Sequence, residues 1–244
     1  EQIWGKILDS ILSEYIRSGR PLSLFIDAST CPRYYTLGIL GYCLKSGIAH
    51  RVTISYAEAL YPDKKPGIHG IEELTFTDGW WKAIAPPSLE GMFSPGKKRF
   101  FLVSVGFEGW KTMRAVTRAD PDRVSILLAD PGFNHEYAER TLDGNKGLID
   151  CYKIPEQQIA RSVAGDAIGA WKVLTETALE RPDKENVFYL CSGTKSHSIA
   201  LGLRAISVGY PAVLYNLPEA HKVVDIRPSG VFWRFDISSL TVPL

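Results

Sequence analysis

Short apolar runs alternate along the chain with longer stretches whose apolar residues fall three or four apart, the pattern of strands alternating with helices. Residues 3–17 put Ile3, Ile7, Ile11 and Tyr15 on one stripe at a spacing of four, predicting an amphipathic helix that buries this stripe and stops at Gly19-Arg20-Pro21. Residues 22–27 read as a buried strand. Pro32 suits the first turn of a helix with Tyr34, Leu37, Leu40, Gly41 and Leu44 on its inner face, and Gly47 ends it. Residues 52–56 are the next strand.

The rhythm breaks over residues 57–96, which hold Pro62, Pro66, Pro86, Pro87 and Pro95 and the pair Trp80-Trp81. This segment reads as an irregular insertion covering the sheet edge or a ligand cleft, because a stretch this long without regular structure needs a job. Alternation then resumes. Strands are expected at 100–105, 124–129, 187–191 and 212–215. Helices are expected at 108–119 (Trp110, Met113 and Val116 inward), 135–146, 166–180 (Ile168, Trp171 and Leu174 in the core) and 196–208. Residues 151–165 read as a linker. Residues 223–227 and 231–236 read as a hairpin turning at Pro228-Ser-Gly230.

This order predicts an α/β fold: one Rossmann-like domain over residues 1–244, with a mainly parallel sheet, helices on both faces and a C-terminal antiparallel hairpin. No internal repeat or low-complexity tract interrupts it.

Composition narrows the class further. The 28 basic and 27 acidic residues leave a net charge of +1, which gives no basic field of the kind that drives nonspecific nucleic-acid binding. No apolar stretch reaches membrane-spanning length, and Asp9, Glu14 and Arg17 interrupt the apolar residues near the start, unlike a signal peptide. Cys31, Cys43, Cys151 and Cys191 form no CxxC, so free thiols in a cytoplasmic protein are expected. The histidines form no HExxH or HxH pair, and neither a metal site nor a cofactor is expected.

Ligands of open α/β sheets bind beyond the carboxyl ends of the strands, so the candidate chemistry lies in the loops that follow them. These supply Asp27, Ser29, Thr30 and Arg33; Gly106, Phe107 and Glu108; Asp130, Gly132 and Asn134; and Ser192, Gly193, Thr194, Lys195 and His197. The last loop is the most telling. After the apolar run 187–191 come Ser192-Gly-Thr-Lys195 and a helix start, which together present free N–H groups, a positive helix end and an ammonium. The GxxxxGK[ST] and GxGxxG spacings are both absent. Gly193 suits close backbone approach and Lys195 a phosphate, or the loop is an ordinary tight turn with an exposed lysine. Arg33 in the first turn of a helix opposes the dipole, so a bound anion would account for it. Asp27 reads as a helix cap or a catalytic carboxylate, Asn134 as a cap, His197 as an anion or proton-transfer group or plain surface polarity, and Cys191 as a small buried hydrophobe.

Leu190-Cys-Ser-Gly-Thr-Lys195 followed by a small-residue helix resembles the ligand loop of the CRISPR-associated Rossmann-fold (CARF) domains, which commonly carry Gly-Thr-Lys at this junction. Ser29-Thr30 is a looser match in the first loop. Ser192 stands where many family loops have a second glycine, and the first loop lacks the family's glycine. The resemblance implies a nucleotide-sensing domain of antiviral defence that binds cyclic oligoadenylates or related messengers across a homodimer face and regulates an effector. Gly193, Thr194 and Lys195 would hold phosphate, while Ser29, Thr30, Arg33, Gly106, Phe107 and His197 would line the pocket. Two alternatives stand beside it. One is a phosphodiesterase or nucleotide hydrolase using Asp27, Asp130 and His197. The other is a non-catalytic interaction module of a larger assembly, with Trp80-Trp81 as the contact.

Overall fold

Runs such as Phe100-Phe101-Leu102-Val103 and Val187-Phe188-Tyr189-Leu190 are apolar at successive positions, so as strands they need cover on both faces. The computed structural model describes residues 2–61, 77–78, 82–221 and 226–238. In chain order these form α1 (Gln2–Ser18), β1 (Leu22–Asp27), α2 (Arg33–Lys45), β2 (Ala49–Leu60), β3 (Thr77–Asp78), β4 (Lys82–Ile84), β5 (Lys98–Ser104), α3 (Gly109–Ala119) and β6 (Arg123–Ala129). Then follow α4 (Glu136–Gly144), α5 (Lys146–Tyr152), a 3-10 turn at Glu156–Gln158, β7 (Ile159–Ser162), α6 (Ala167–Thr177), β8 (Glu185–Cys191), α7 (Lys195–Val208), β9 (Ala212–Leu217), β10 (Ala220–His221) and β11 (Arg227–Ile237).

The fold is α/β. A six-stranded sheet has the order β4-β9-β8-β5-β6-β7. All its pairings are parallel except β4 with β9. On one face, Phe101, Val103, Ile126, Leu128 and Leu190 pack with Val116 of α3 and Leu148 of α5. On the other, Leu102, Leu127, Tyr189 and Val213 meet α2, α6 and α7.

The expected single sheet is in fact divided. β1 and β2 pair in parallel through the α2 crossover, and β11 joins β2 antiparallel, making a separate three-stranded sheet. Its inward residues Ile26, Val52, Ile54, Phe235 and Ile237 belong to the same apolar cluster as α2 and α7. Those helices therefore lie between two sheets. Ten of the fourteen residues of α7 are buried, as a helix covered on every side requires. The long apolar side chains in this layer, such as Leu37, Leu40, Leu102 and Tyr189, are almost wholly withdrawn from water. Each contributes ~1.5–3 kcal/mol relative to an exposed position.

Other expectations change with this layering. In α1 it is Leu8 and Leu12 that are buried, whereas Ile7, Ile11 and Tyr15 are 44%, 66% and 42% exposed. The stripe at spacing four is thus the outer face. Trp110, expected inside, is 45% exposed on α3. The helix foreseen at 135–146 is two helices meeting at Asn145, whose Nδ2 donates to Thr141 O and Gly106 O, both at 2.8 Å. The linker at 151–165 contains β7, an edge strand of only four residues. Residues 228–230 are not a turn. β11 runs through them, with a register irregularity between Pro228 and Phe232 against β2, and residues 223–225 of the expected hairpin lie outside the described residues. So do Trp80 and Trp81. The flanks of the 57–96 segment are regular: β2 continues to Leu60, and β4 pairs with β9.

Two polar networks brace the layers. Glu180 is buried and accepts from Tyr189 Oη, Tyr210 Oη and Arg204 Nη2, the last at 3.1 Å. Glu58 accepts from Trp233 Nε1 at 2.5 Å and Ser229 Oγ at 3.2 Å. Against this second pair sits Gly165, just before α6. A Cβ there would lie 2.1 Å from Trp233 Nε1 and 2.8 Å from Glu58 Oε1. Gly165→Ala should therefore destabilise the fold by ~1–3 kcal/mol, read as a lower midpoint in urea; an unchanged midpoint would show that the small sheet is not docked this tightly.

Candidate functional site

The order of the parallel strands reverses between β5 and β8, the position at which sheets of this kind leave a crevice at their carboxyl rim. Here the crevice is shut by two glycines. Ser192 N donates to Ser104 O at 3.0 Å, and Gly193 N to Ser104 Oγ at 2.9 Å. A Cβ on Gly193 would come 2.2 Å from that hydroxyl, and one on Gly106 would come 2.6 Å from Ser192 O. Gly193 and Gly106 therefore let two strand-end loops press together.

From this junction the chain turns into α7. Thr194 is its N-cap, with its side chain accepting from His197 N at 3.1 Å. The first-turn amides of Lys195 and Ser196 have no intrahelical acceptor, and the positive helix end points to the rim. Ser192 Oγ and Ser196 Oγ are buried without a hydrogen-bond partner.

Arg33 and Lys195 meet at this point from different loops. The three ammonium protons of Lys195 are matched by three backbone carbonyls of the β1–α2 loop: Ala28 at 2.8 Å, Ser29 at 2.6 Å and Cys31 at 3.1 Å. Arg33, in the first turn of α2, sends Nη2 the other way to Gly193 O at 2.5 Å, and its Nε is buried and unpaired. Among the described residues neither cation forms a salt bridge. Burial, and then the neighbouring Arg33 charge, pull the Lys195 ammonium down to about 8. A seam too narrow to admit a water molecule runs between the two helix starts, lined by Ala28, Arg33, Thr36, Leu37, Lys195 and Ser198.

The remaining expected residues are distributed around this centre. Ser29 Oγ accepts from Ala57 N at 2.9 Å and ties the loop to β2, and Thr30 is exposed. Phe107 stands beside Tyr61 and Tyr137, at 5.6 and 5.1 Å between ring centroids, with the Arg140 guanidinium 4.7 Å over its ring. Burial raises the hydroxyls of Tyr56, Tyr61 and Tyr215, and the Arg33 charge works against that shift on each of them and on the Cys191 thiol. Composition alone gave no reason to single out Tyr56, Tyr61 and Tyr215, since each sits on or beside a strand with an ordinary apolar neighbourhood. Cys191 is buried, which pushes its thiol up to about 12, and all four cysteines are free.

Asp27, Asp130 and His197 are not brought together by any contact. Asp27 lies on the outward face of the three-stranded sheet. It accepts from Ser29 N at 2.9 Å and Ser55 Oγ at 3.4 Å and caps no helix; the Ser29 side chain first, then the Ser29 amide, Ser55 and the Lys195 charge hold its carboxyl below the ordinary value. Asp130 pairs with Arg161 at 2.7 Å. Asn134 accepts from Glu136 N at 3.2 Å at the start of α4. The ring of His197 is wholly buried. Its nitrogens lie toward the backbone of Ser162 and Val163 without forming a hydrogen bond of ordinary geometry, and desolvation lowers it to about 4. Among the described residues, no group of three His, Cys, Asp or Glu side chains is placed to hold a metal ion, and no helix is long and apolar enough to cross a membrane. No protein-family model matches the chain, and no curated protein matches it.

The buried imidazole makes a pH-dependent contribution to stability. Folded His197 takes up a proton only near pH 4, whereas the unfolded residue does so near 6.5, so between these values the unfolded state binds more protons. Stability should fall as the pH is lowered through this window, by on the order of 3 kcal/mol in total from this residue. In urea denaturation at several pH values, His197→Leu should flatten the dependence; an equally steep curve in the variant would assign the effect elsewhere.

Proposed function

We propose that this chain is a Rossmann-like nucleotide-sensing domain, similar to the CARF domains, that takes the phosphate of its ligand at the start of α7 and regulates an effector. The carrying observation is the pair Arg33 and Lys195: two half-buried cations from neighbouring loops, neither in a salt bridge among the described residues, at the positive end of α7, with Asp27 acting on Lys195 only at longer range. Two partly buried cations without an ion pair favour a bound anion, and a phosphate supplies charged acceptors for both. The unpaired Arg33 Nε, Ser196 Oγ and Ser192 Oγ are further donors in the same neighbourhood. Tyr61 and Phe107, both part-exposed and packed against the buried Tyr137, offer stacking surface for the base of a nucleotide. Sensing is favoured over turnover because Asp27 faces outward, Asp130 is paired with Arg161, and His197 is sealed from solvent. The homodimer and the effector belong to the CARF reading as a whole.

Thermal-shift screening against linear and cyclic nucleotides should find a stabilising ligand, since a hundredfold excess over Kd adds ~2.7 kcal/mol to the native state. By calorimetry, Arg33→Gln should weaken that ligand by about tenfold or more. Affinity should also decline as the pH rises through about 8, where Lys195 loses its charge. A panel without any shift, or an affinity indifferent to Arg33, would refute the assignment.

A further inference from the structure

The ties made by Arg33 and Lys195 cross. The cation of the β8–α7 junction holds the carbonyls of the β1–α2 loop, and the cation of α2 holds the carbonyl of Gly193. The same β1–α2 loop is bonded on its other side to the three-stranded sheet. Ala28 N donates to Ser55 O at 2.8 Å, Ala57 N to Ser29 Oγ at 2.9 Å, and Ser55 Oγ to Asp27 at 3.4 Å. Residues 28–31 are thus a bridge with the cation site at one end and β2 at the other. The outward face of that sheet, with Phe25 65% and Phe232 64% exposed, lies beyond it.

An ammonium has three protons, and Lys195 spends all of them on neutral carbonyls. It can reach a phosphate only by giving up at least one. The exchange is favourable, because a phosphate adds the direct Coulombic attraction of opposite charges, which a neutral carbonyl does not offer. The released carbonyls of Ser29 and Cys31 belong to half-exposed residues, so water can take over from the ammonium. The seam between α2 and α7 has no room for a phosphate while the crossed bonds stand, so binding and release are the same event.

Resting on the nucleotide reading above, we propose that the crossed pair is a latch: phosphate binding draws Lys195 and Arg33 off the two loops, loosens residues 28–33, and so relays occupancy to the three-stranded sheet. What the sensor regulates would then respond to that sheet rather than to the six-stranded one.

Amide hydrogen exchange tests this in two arms. Without any ligand, Lys195→Met should raise exchange of residues 28–33 by roughly tenfold or more while β5 and β6 keep their protection; Lys195→Gln serves the same purpose if the first variant does not fold. Unchanged loop exchange in the variant overturns the latch whatever the ligand proves to be. In the second arm, the wild-type protein is saturated with inorganic pyrophosphate. Faster exchange over 28–33 is the expected result. Calorimetric binding with the loop still protected overturns the relay but leaves the phosphate site standing. No binding of pyrophosphate or of any nucleotide overturns the phosphate site itself, and with it the release, even where the first arm shows Lys195 holding the loop.

Discussion

The architecture depends on keeping α7 dry on every side. A helix with Ile199, Leu201, Leu203 and Ile206 spread around its circumference cannot lie on the surface of one sheet without leaving apolar area in water. The second, three-stranded sheet answers that need, with α2 and α6 completing the walls. Its antiparallel strand β11 comes from the far end of the chain, so the first and last parts of the sequence cooperate to close one core.

That burial sets the electrostatics of the rim. The start of α7 carries its positive end into a region where Lys195 and Arg33 are partly withdrawn from water and Ser196 and His197 entirely so. Charges in such surroundings must be matched or neutralised. The fold matches them with carbonyl oxygens at hydrogen-bond distance rather than with an ion pair, and Asp27 acts on Lys195 only from further away. The same choice holds the two loops together.

Much of this was legible in the chain. The strands at 22–27 and 187–191 and the helix after Pro32 follow from local apolar runs and punctuation. The sorting of strands into two sheets was not, because pairing is decided by contacts far apart in sequence, such as Asp236 with Thr53. Ile7, Ile11 and Tyr15 misled because two apolar stripes share α1, and periodicity alone does not say which one meets the core. β7 escaped because four residues ending in Arg161-Ser162 carry too little pattern. At the site, the gathering of Arg33 with residues 193–195 could be anticipated from cations placed at helix starts. That Lys195 would turn to the carbonyls of Ala28, Ser29 and Cys31 could not, since backbone acceptors carry no signature in the side-chain sequence.

The carboxylate of Glu180 gives the far half of α7 a different character from its start. Arg204 fixes the third turn of the helix, while Tyr189 from β8 and Tyr210 just past the helix fix the same two oxygens from the sheet side. One anion thereby bolts helix, strand and connector to a common point. A rod fastened so firmly at one end is ill placed to slide along its axis like a piston, and α7 stands as a fixed anvil beneath the loops packed at its start.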